Sequence, residues 1–198
     1  HALAMSRYSG VWASMKTIQE IVESSATVDV DAERVKIIMP GDFEMPMGGV
    51  HIRWPDTALE QEQRLFRTKW YAALAYVRAN RLNYTALSTP QDRLGIMASG
   101  KAWNDMRQAL LDLGLDDAAC QRLGIRLHKV GVVWPLEAQT TREFASGLQE
   151  VLVVEEKRQI IEYQLKEELY HYPDALRPNV VGKFRHDVAH DDAAGFAG

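Results

Sequence analysis

One stretch, Arg93 to Leu136, limits the folds open to this chain more than any other. Leu94-Gly95-Ile96-Met97-Ala98 is short and apolar enough for a buried strand. Ser99-Gly100-Lys101 follows as a turn able to open a helix, with Ser99 placed to cap it. From Ala102 to Leu113, residues Trp103, Met106, Ala109, Leu110 and Leu113 recur at helical spacing, and Gly114 stands where a C-terminal cap belongs. Asp116 opens a short helix, and Ile125 to Val133 reads as the next strand. Strand, helix and strand within about 40 residues make a βαβ unit, which feeds a parallel sheet through a right-handed crossover.

The remaining chain has the means to complete such a sheet. It has 198 residues, 46% hydrophobic and 25% charged, enough to bury a core. A formal net charge of −4 gives no electrostatic case for a nucleic-acid partner. No apolar run approaches the roughly 18–20 residues that span a bilayer. No export signal stands at the start, and a reducing cytoplasm is the simplest compartment. Cys120 is the single cysteine, so neither an internal disulfide nor a cysteine-ligated iron–sulfur cluster is expected of this chain alone. The first residue is His1, not methionine, as expected of a piece of a longer polypeptide or of a residual tag residue.

In chain order, Ala2 to Gly10 is polar and small, like inherited chain. Trp12, Met15, Ile18, Ile21 and Val22 form a helical stripe ending at Ser24-Ser25. Val28 to Val30 and Val35 to Met39 are brief strand candidates, the second stopped by Pro40-Gly41. From Pro40 to Pro55 a Pro/Gly-punctuated loop retains Phe43, Met45, Met47, Ile52 and Trp54, and so must lie on something. Thr57 to Arg81 is the longest helix candidate. Thr57 and Glu60 form a capping box, and Leu59, Phe66, Trp70, Ala73, Leu74 and Val77 share a face. Asn80 to Pro90 is turn-like and is taken as a boundary. The organisation expected is therefore an N-terminal extension (1–90) packed on the main domain, an α/β domain (91–185) and a flexible tail (186–198).

After Trp134-Pro135, a rigid turn, Thr140 or Thr141 caps a helix through Leu148. Val151 to Val154 is a continuously apolar third strand. A helix from Gln159 to Tyr172 and an edge strand at Val180 to Phe184 follow. Strands near 94, 127, 151 and 180 with intervening helices give a three-layer α/β/α domain with a mostly parallel sheet, with room for one antiparallel edge.

Two strand ends are candidates for ligand contact. Ser99-Gly100-Lys101 lies at the carboxyl end of the first strand, where open α/β sheets place ligands and where backbone N–H groups can meet a phosphate or carboxylate. Glu155-Glu156-Lys157-Arg158 ends the third strand on the same side; one carboxylate there could be tuned for proton transfer, or the charges could hold a partner domain. A simple helix cap and a solvated turn are the competing readings. There is no GxGxxG, no GxxxxGK[ST], no CxxC and no nucleophile elbow, so no catalytic residue is assigned. His186 and His190, with Asp187, Asp191 and Asp192, lack a scaffold for a metal, and none is assigned. His128 reads as a packed or edge residue. The residues alone stop at a binding or assembly module.

Several long segments carry a resemblance. SGKAWNDMRQALLDLG, GIRLHKVGVVWPLE, VLVVEEKRQIIEYQLKEELY and NVVGKF, with SRYSGVWASMKTIQEIVESSATVDVD and GGVHIRWPDTALEQEQRLFRTKWYAALAYVRAN before them, resemble the 2-oxoacid:ferredoxin oxidoreductase family. Within it, they are most like the long fused indolepyruvate ferredoxin oxidoreductases. The resemblance covers the chain to about Phe184. It implies a domain similar to the transketolase C-terminal domain, a three-layer sandwich with about five strands, mostly parallel, one antiparallel. It also implies a large enzyme that oxidatively decarboxylates arylpyruvates to acyl-CoA, using thiamine diphosphate with magnesium, coenzyme A and iron–sulfur clusters, with ferredoxin as electron acceptor. The family's Gly-Asp-Gly…Asn diphosphate pattern and cluster cysteines are missing here. The piece is then expected to bind none of these cofactors itself, to be inactive alone, and to act as a structural or interfacial domain against the thiamine-binding domains, with a homodimer left open. Ser99, Gly100, Lys101, Glu156, Lys157 and Arg158 are the residues expected to touch any ligand. The alternative is a stand-alone α/β binding module for a small anionic ligand; a free-standing subunit of a split oxidoreductase is a third reading.

Overall fold

The computed structural model describes residues 1–183, and the chain divides into two compact units, His1–Arg81 and a second beginning at Leu82. In the first unit, α1 (Ala2–Ser9) ends at Gly10, whose φ of 70° makes a left-handed cap. A Cβ at Gly10 would lie 2.7 Å from the Val50 carbonyl oxygen, so the close approach of these two segments needs glycine. Helix α3 (Ala58–Arg64) starts at the expected capping box of Thr57 and Glu60. It passes through a π-helical turn, Leu65–Lys69, into α4 (Trp70–Ala79). Ala72, Ala73, Ala75, Tyr76 and Val77 of α4 are buried, with Tyr8 of α1 against Tyr76 at 6.0 Å between ring centroids. Phe43 packs edge-on to Tyr8.

Four expectations fail in this unit. Ala2 to Gly10 is a helix, since Ala, Leu and Met favour one and Tyr8 gives it a surface to pack on. The Trp12–Val22 stripe keeps only one turn, α2 (Gln19–Val22), with nothing buried; a helix that short does not persist on propensity alone. Val28–Val30 and Val35–Met39 pair with no strand among the described residues. Their exposed side chains give them nothing to pack against within the unit. Leu59 of α3 and Phe66 of the π turn are exposed rather than packed, because that turn breaks the 3.6-residue period and rotates the face expected from spacing.

The second unit is a five-stranded α/β sandwich. Its strands are β1 (Asn83–Leu87), β2 (Leu94–Ser99), β3 (Ile125–Val130), β4 (Glu150–Val154) and β5 (Asn179–Val181), in the spatial order β1-β3-β2-β4-β5. β1 is antiparallel to β3; the other pairings are parallel. Helices α5 (Gly100–Asp112) and α6 (Asp117–Leu123) cover one face, where Trp103, Met106, Leu110 and Cys120 pack on Ile96, Ala98, Ile125 and Leu127. Helices α7 (Ala138–Ala145) and α8 (Ile161–Leu169) cover the other, where Phe144, Ile161, Leu165 and Leu169 pack on Met97, Val130, Val151 and Val153. Gly95 lets α7 come close: a Cβ there would meet the Leu148 Cδ1 at 2.5 Å and the Phe144 ring at 2.7 Å.

The sheet thus has the mostly parallel form and single antiparallel edge that the strand pattern implied. The antiparallel strand falls inside Asn80–Pro90, the stretch taken as a boundary at residue 90; the division lies between Arg81 and Leu82 instead. Polar residues hid it. Asn83 is buried, and its Oδ1 accepts the Gly131 and Val132 N–H groups at 2.9 Å each. Residues 186–198, read as a tail with two histidines, lie outside the described residues.

Candidate functional site

Chain direction puts a topological switch point between β2 and β4. The two strands are hydrogen-bonded neighbours, with Ala98 opposite Val154. The chain leaves β2 into α5 on one face and leaves β4 into α8 on the opposite face. Between two such exits an open α/β sheet splits at its carboxyl edge, where ligands of this architecture bind. Ser99-Gly100-Lys101 forms one lip and Glu155 to Arg158 the other. The two stretches singled out from sequence, 54 or more residues apart, are therefore on adjoining strand ends.

The lips differ in what holds them. Ser99 occupies the N-cap position of α5 but its side chain makes no capping bond, contrary to expectation. Gly100 has a φ of 53°, a left-handed start to the helix. Lys101 reaches Asp105 one turn on, at 2.6 Å. On the other lip, Glu155 turns inward. Its Oε1 accepts the Ile160 and Ile161 N–H groups at 2.9 and 2.7 Å, and its Oε2 accepts that of Glu162 at 3.0 Å. Glu155 thereby neutralises the start of α8, and is committed to structure rather than proton transfer. Glu156, Lys157 and Arg158 are exposed, with Lys157 in the left-handed region at φ 58°. The lips together present a small set of exposed charges above a backbone turn.

The same edge carries residues that sequence did not reveal. Asn83 pins the loop after β3, also donating from Nδ2 to the Val132 carbonyl at 3.2 Å. Gln164 of α8 accepts the Leu136 N–H at 2.8 Å and donates to the Val133 carbonyl at 2.9 Å. Glu137, buried, caps α7 by accepting the Gln139 and Thr140 N–H groups, the task assigned above to Thr140 or Thr141. The loop so held presents Trp134, more than half exposed, ahead of a cis Pro135. Lys129 stands over the Trp103 ring, 5.7 Å from its centroid. Only Glu137 left a local trace, as an acceptor two and three residues ahead of the N–H groups it caps; the others work across 26 to 49 residues.

Other titratable groups serve the fold. His128 is fully buried on β3, its Nδ1 3.2 Å from the Thr85 hydroxyl and its ring 4.7 Å from that of Phe144. Its Nε2 has no hydrogen-bond partner, and burial lowers its pKa to about 4, so the imidazole is neutral at pH 7. At the opposite end of the sheet, Asp92 is buried too. Burial alone would raise its pKa, but bonds from the Thr89 N–H, Arg126 and the Thr89 and Ser88 hydroxyls outweigh it and hold the carboxyl below its ordinary range. Arg126 also donates to the Phe144 and Ser146 carbonyls, tying β3 to the end of α7. Burial pushes the Cys120 thiol up, which leaves it protonated and inert.

Among the described residues no three His, Cys, Asp or Glu side chains are placed to hold a metal, and no helix is long and apolar enough to cross a membrane. One buried thiol does not fit an iron–sulfur cluster, which needs several thiolates. A separate open hollow of about 350 Å³ lies in the first unit, lined by Asp56, Glu60, Gln63, Arg64, Arg67 and Thr68, with Arg64 2.6 Å from Asp56.

Residues 83–197, more than half of the chain, match the family described as the indolepyruvate ferredoxin oxidoreductase middle domain. The chain is 38% identical over 84 residues to the indolepyruvate oxidoreductase subunit IorA of Methanothermobacter marburgensis, a match covering 42% of this chain and 12% of that subunit. The chain thus spans about an eighth of this relative's length. Among solved structures it is similar to the 2-oxoglutarate:ferredoxin oxidoreductase of Magnetococcus marinus, with 15% identity, a TM-score of 0.44, and coverage of 71% of this chain and 22% of that one. It is also similar to a split-gene transketolase described as an inactive β4 tetramer, with 19% identity, a TM-score of 0.36, and coverage of 50% and 31%.

Proposed function

The chain belongs to the indolepyruvate ferredoxin oxidoreductase middle-domain family, and on that premise we propose that it is one domain of a longer, cytoplasmic oxidoreductase that oxidatively decarboxylates arylpyruvates to acyl-CoA. Thiamine diphosphate, magnesium, iron–sulfur clusters and coenzyme A belong to the whole enzyme, and the first three sit on its other parts. This domain contributes structure and an interface to the thiamine-binding domains, and the whole enzyme hands electrons to ferredoxin. The observation that carries the reading is the family match over the entire five-stranded unit, from β1 onward, against a relative of which the chain spans 12%.

Within that role, the lips at β2 and β4 shape the approach of an anionic substrate or coenzyme group. Ser99 and Gly100 offer backbone N–H groups at the start of α5. Lys101, Lys157 and Arg158 offer positive charge that can pair with phosphate or carboxylate, and Glu156 orients it. The first test is the mass of the native polypeptide carrying this sequence, by immunoblot of the source cells. A band far above 22 kDa supports the longer enzyme; one near 22 kDa points to a stand-alone α/β binding module. The lips are tested by Lys101→Glu and Arg158→Glu in the full enzyme. Each is expected to raise KM for the 2-oxoacid or coenzyme A about tenfold, the loss of one charge-assisted contact, with little change in kcat. Unchanged kinetics in both would exclude contact at this edge.

A further inference from the structure

The first unit carries an apolar load that its own core does not take up. Between Gly10 and Pro40 its only regular structure among the described residues is the single turn α2. Trp12, Met15, Val22, Val28, Val30, Val35, Ile38 and Met39 are all more than half exposed, Trp12 and Val30 almost completely. A run of large apolar groups that dense is not a solvated linker, whose composition is polar or Gly/Ser-rich. Its far end is nevertheless held. The Asn80 side chain donates from Nδ2 to the Ile38 carbonyl and accepts the Ile38 N–H at Oδ1, both at 2.8 Å. Those are the two hydrogen bonds a neighbouring strand would make, so Ile38 is fixed in strand-like fashion at the surface of α4. Arg78 and Asp42, 2.7 Å apart, tie down the chain just after it.

We propose that residues 11–39 are a docking arm, anchored at Ile38 by Asn80, which seats on an apolar surface of the other domains of the same longer polypeptide. The occupant follows from the longer-enzyme reading: for a polypeptide as long as the relative, of which this chain spans 12%, most of the mass is in other domains. A neighbour on the same polypeptide is always at high effective concentration, whereas a second copy has to be recruited. Val28–Val30 and Val35–Met39 are rich in β-branched residues and pair with no strand among the described residues. Away from Ile38, whose backbone groups Asn80 takes, they are suited to join a sheet edge of that neighbour by strand addition, with Trp12 and Met15 anchoring the opposite end. The inference rests on the longer-enzyme reading above.

Amide hydrogen exchange separates the outcomes. In the native long polypeptide, peptides covering 11–39 should exchange about tenfold or more slowly than in the isolated 198-residue chain, with β2 and β4 equally protected in both. Val30→Asp with Ile37→Asp in the long polypeptide should return the arm to fast exchange and leave β2 and β4 slow. Equal, fast exchange of the arm in a long polypeptide overturns the arm while leaving the longer-enzyme reading intact. Arm protection in the isolated chain that grows with its concentration also overturns it, since the occupant would then be a second copy. Protection unmoved by the double substitution would show that these apolar groups do not hold the arm. A native polypeptide of 198 residues would remove the longer-enzyme reading first.

Discussion

His128, read from sequence as a packed or edge residue, is structural in place. A neutral imidazole is sealed between Thr85 and Phe144 with one nitrogen unbonded. Its pKa falls from 6.5 to about 4 on folding, so the unfolded chain takes up the proton first as the pH drops. The stability it confers is complete above about pH 7, is lost between 6.5 and 4, and changes no further below that range. The gap corresponds to about 3 kcal/mol at most. Urea denaturation of the wild-type chain and of His128→Leu at pH 7, 5.5 and 4.5 should show the wild type losing stability more steeply with acid. Parallel losses in the two proteins would mean that His128 takes up its proton without opening the fold. From sequence the residue reads as a packed or edge residue of a strand, with its surroundings unknown. Its unbonded nitrogen depends on Thr85 and Phe144, 43 and 16 positions away, and on a β1 strand that polarity had concealed.

At the level of elements, the parallel strands and their helices were legible because their signals are local. β2 and β4 are short, largely apolar runs, β3 sets Ile125, Leu127 and Val130 among polar residues, and α5 has a clear apolar stripe. Caps were legible only where the acceptor sits in its usual place. Thr57 and Glu60 met that pattern and form the box. Glu155 did not: it stands five residues ahead of the first N–H it accepts, and its neighbours Glu156, Lys157 and Arg158 make it look like part of a solvated charge run. Glu155→Ala should lower stability by about 1–2 kcal/mol, since three N–H groups at the start of α8 lose their acceptor. Glu155→Gln, which keeps an acceptor oxygen without the charge, should recover part of that. Equal denaturation midpoints for all three proteins would mean water replaces the carboxylate at no cost. The arm's failed strands and the broken α3 face have a common cause: both were read from propensity and period, while burial depends on what lies opposite.

For the whole molecule, the division at Arg81/Leu82 matters more than its small offset from residue 90 suggests. The nine residues between include β1, and β1 closes the β3 edge of the sheet. Without it, β3 would expose the backbone groups that now pair Asn83 with Val130 and Thr85 with His128. His128 would lose its one hydrogen bond, and the loop carrying Trp134 would lose the three that Asn83 supplies. An unpaired edge beside an apolar core is prone to associate. Residues 82–198 should therefore fold as a monomer with cooperative thermal unfolding by circular dichroism, because both core layers lie entirely within them. Residues 91–198, which begin where the sequence reading starts its 91–185 domain, should unfold at least about 10 °C lower or elute as aggregates on gel filtration, as expected from the loss of several buried hydrogen bonds in a domain of that size. If 91–198 instead unfolds as cooperatively and as late as 82–198, β1 is an accessory strand, and the boundary at residue 90 is the physical one.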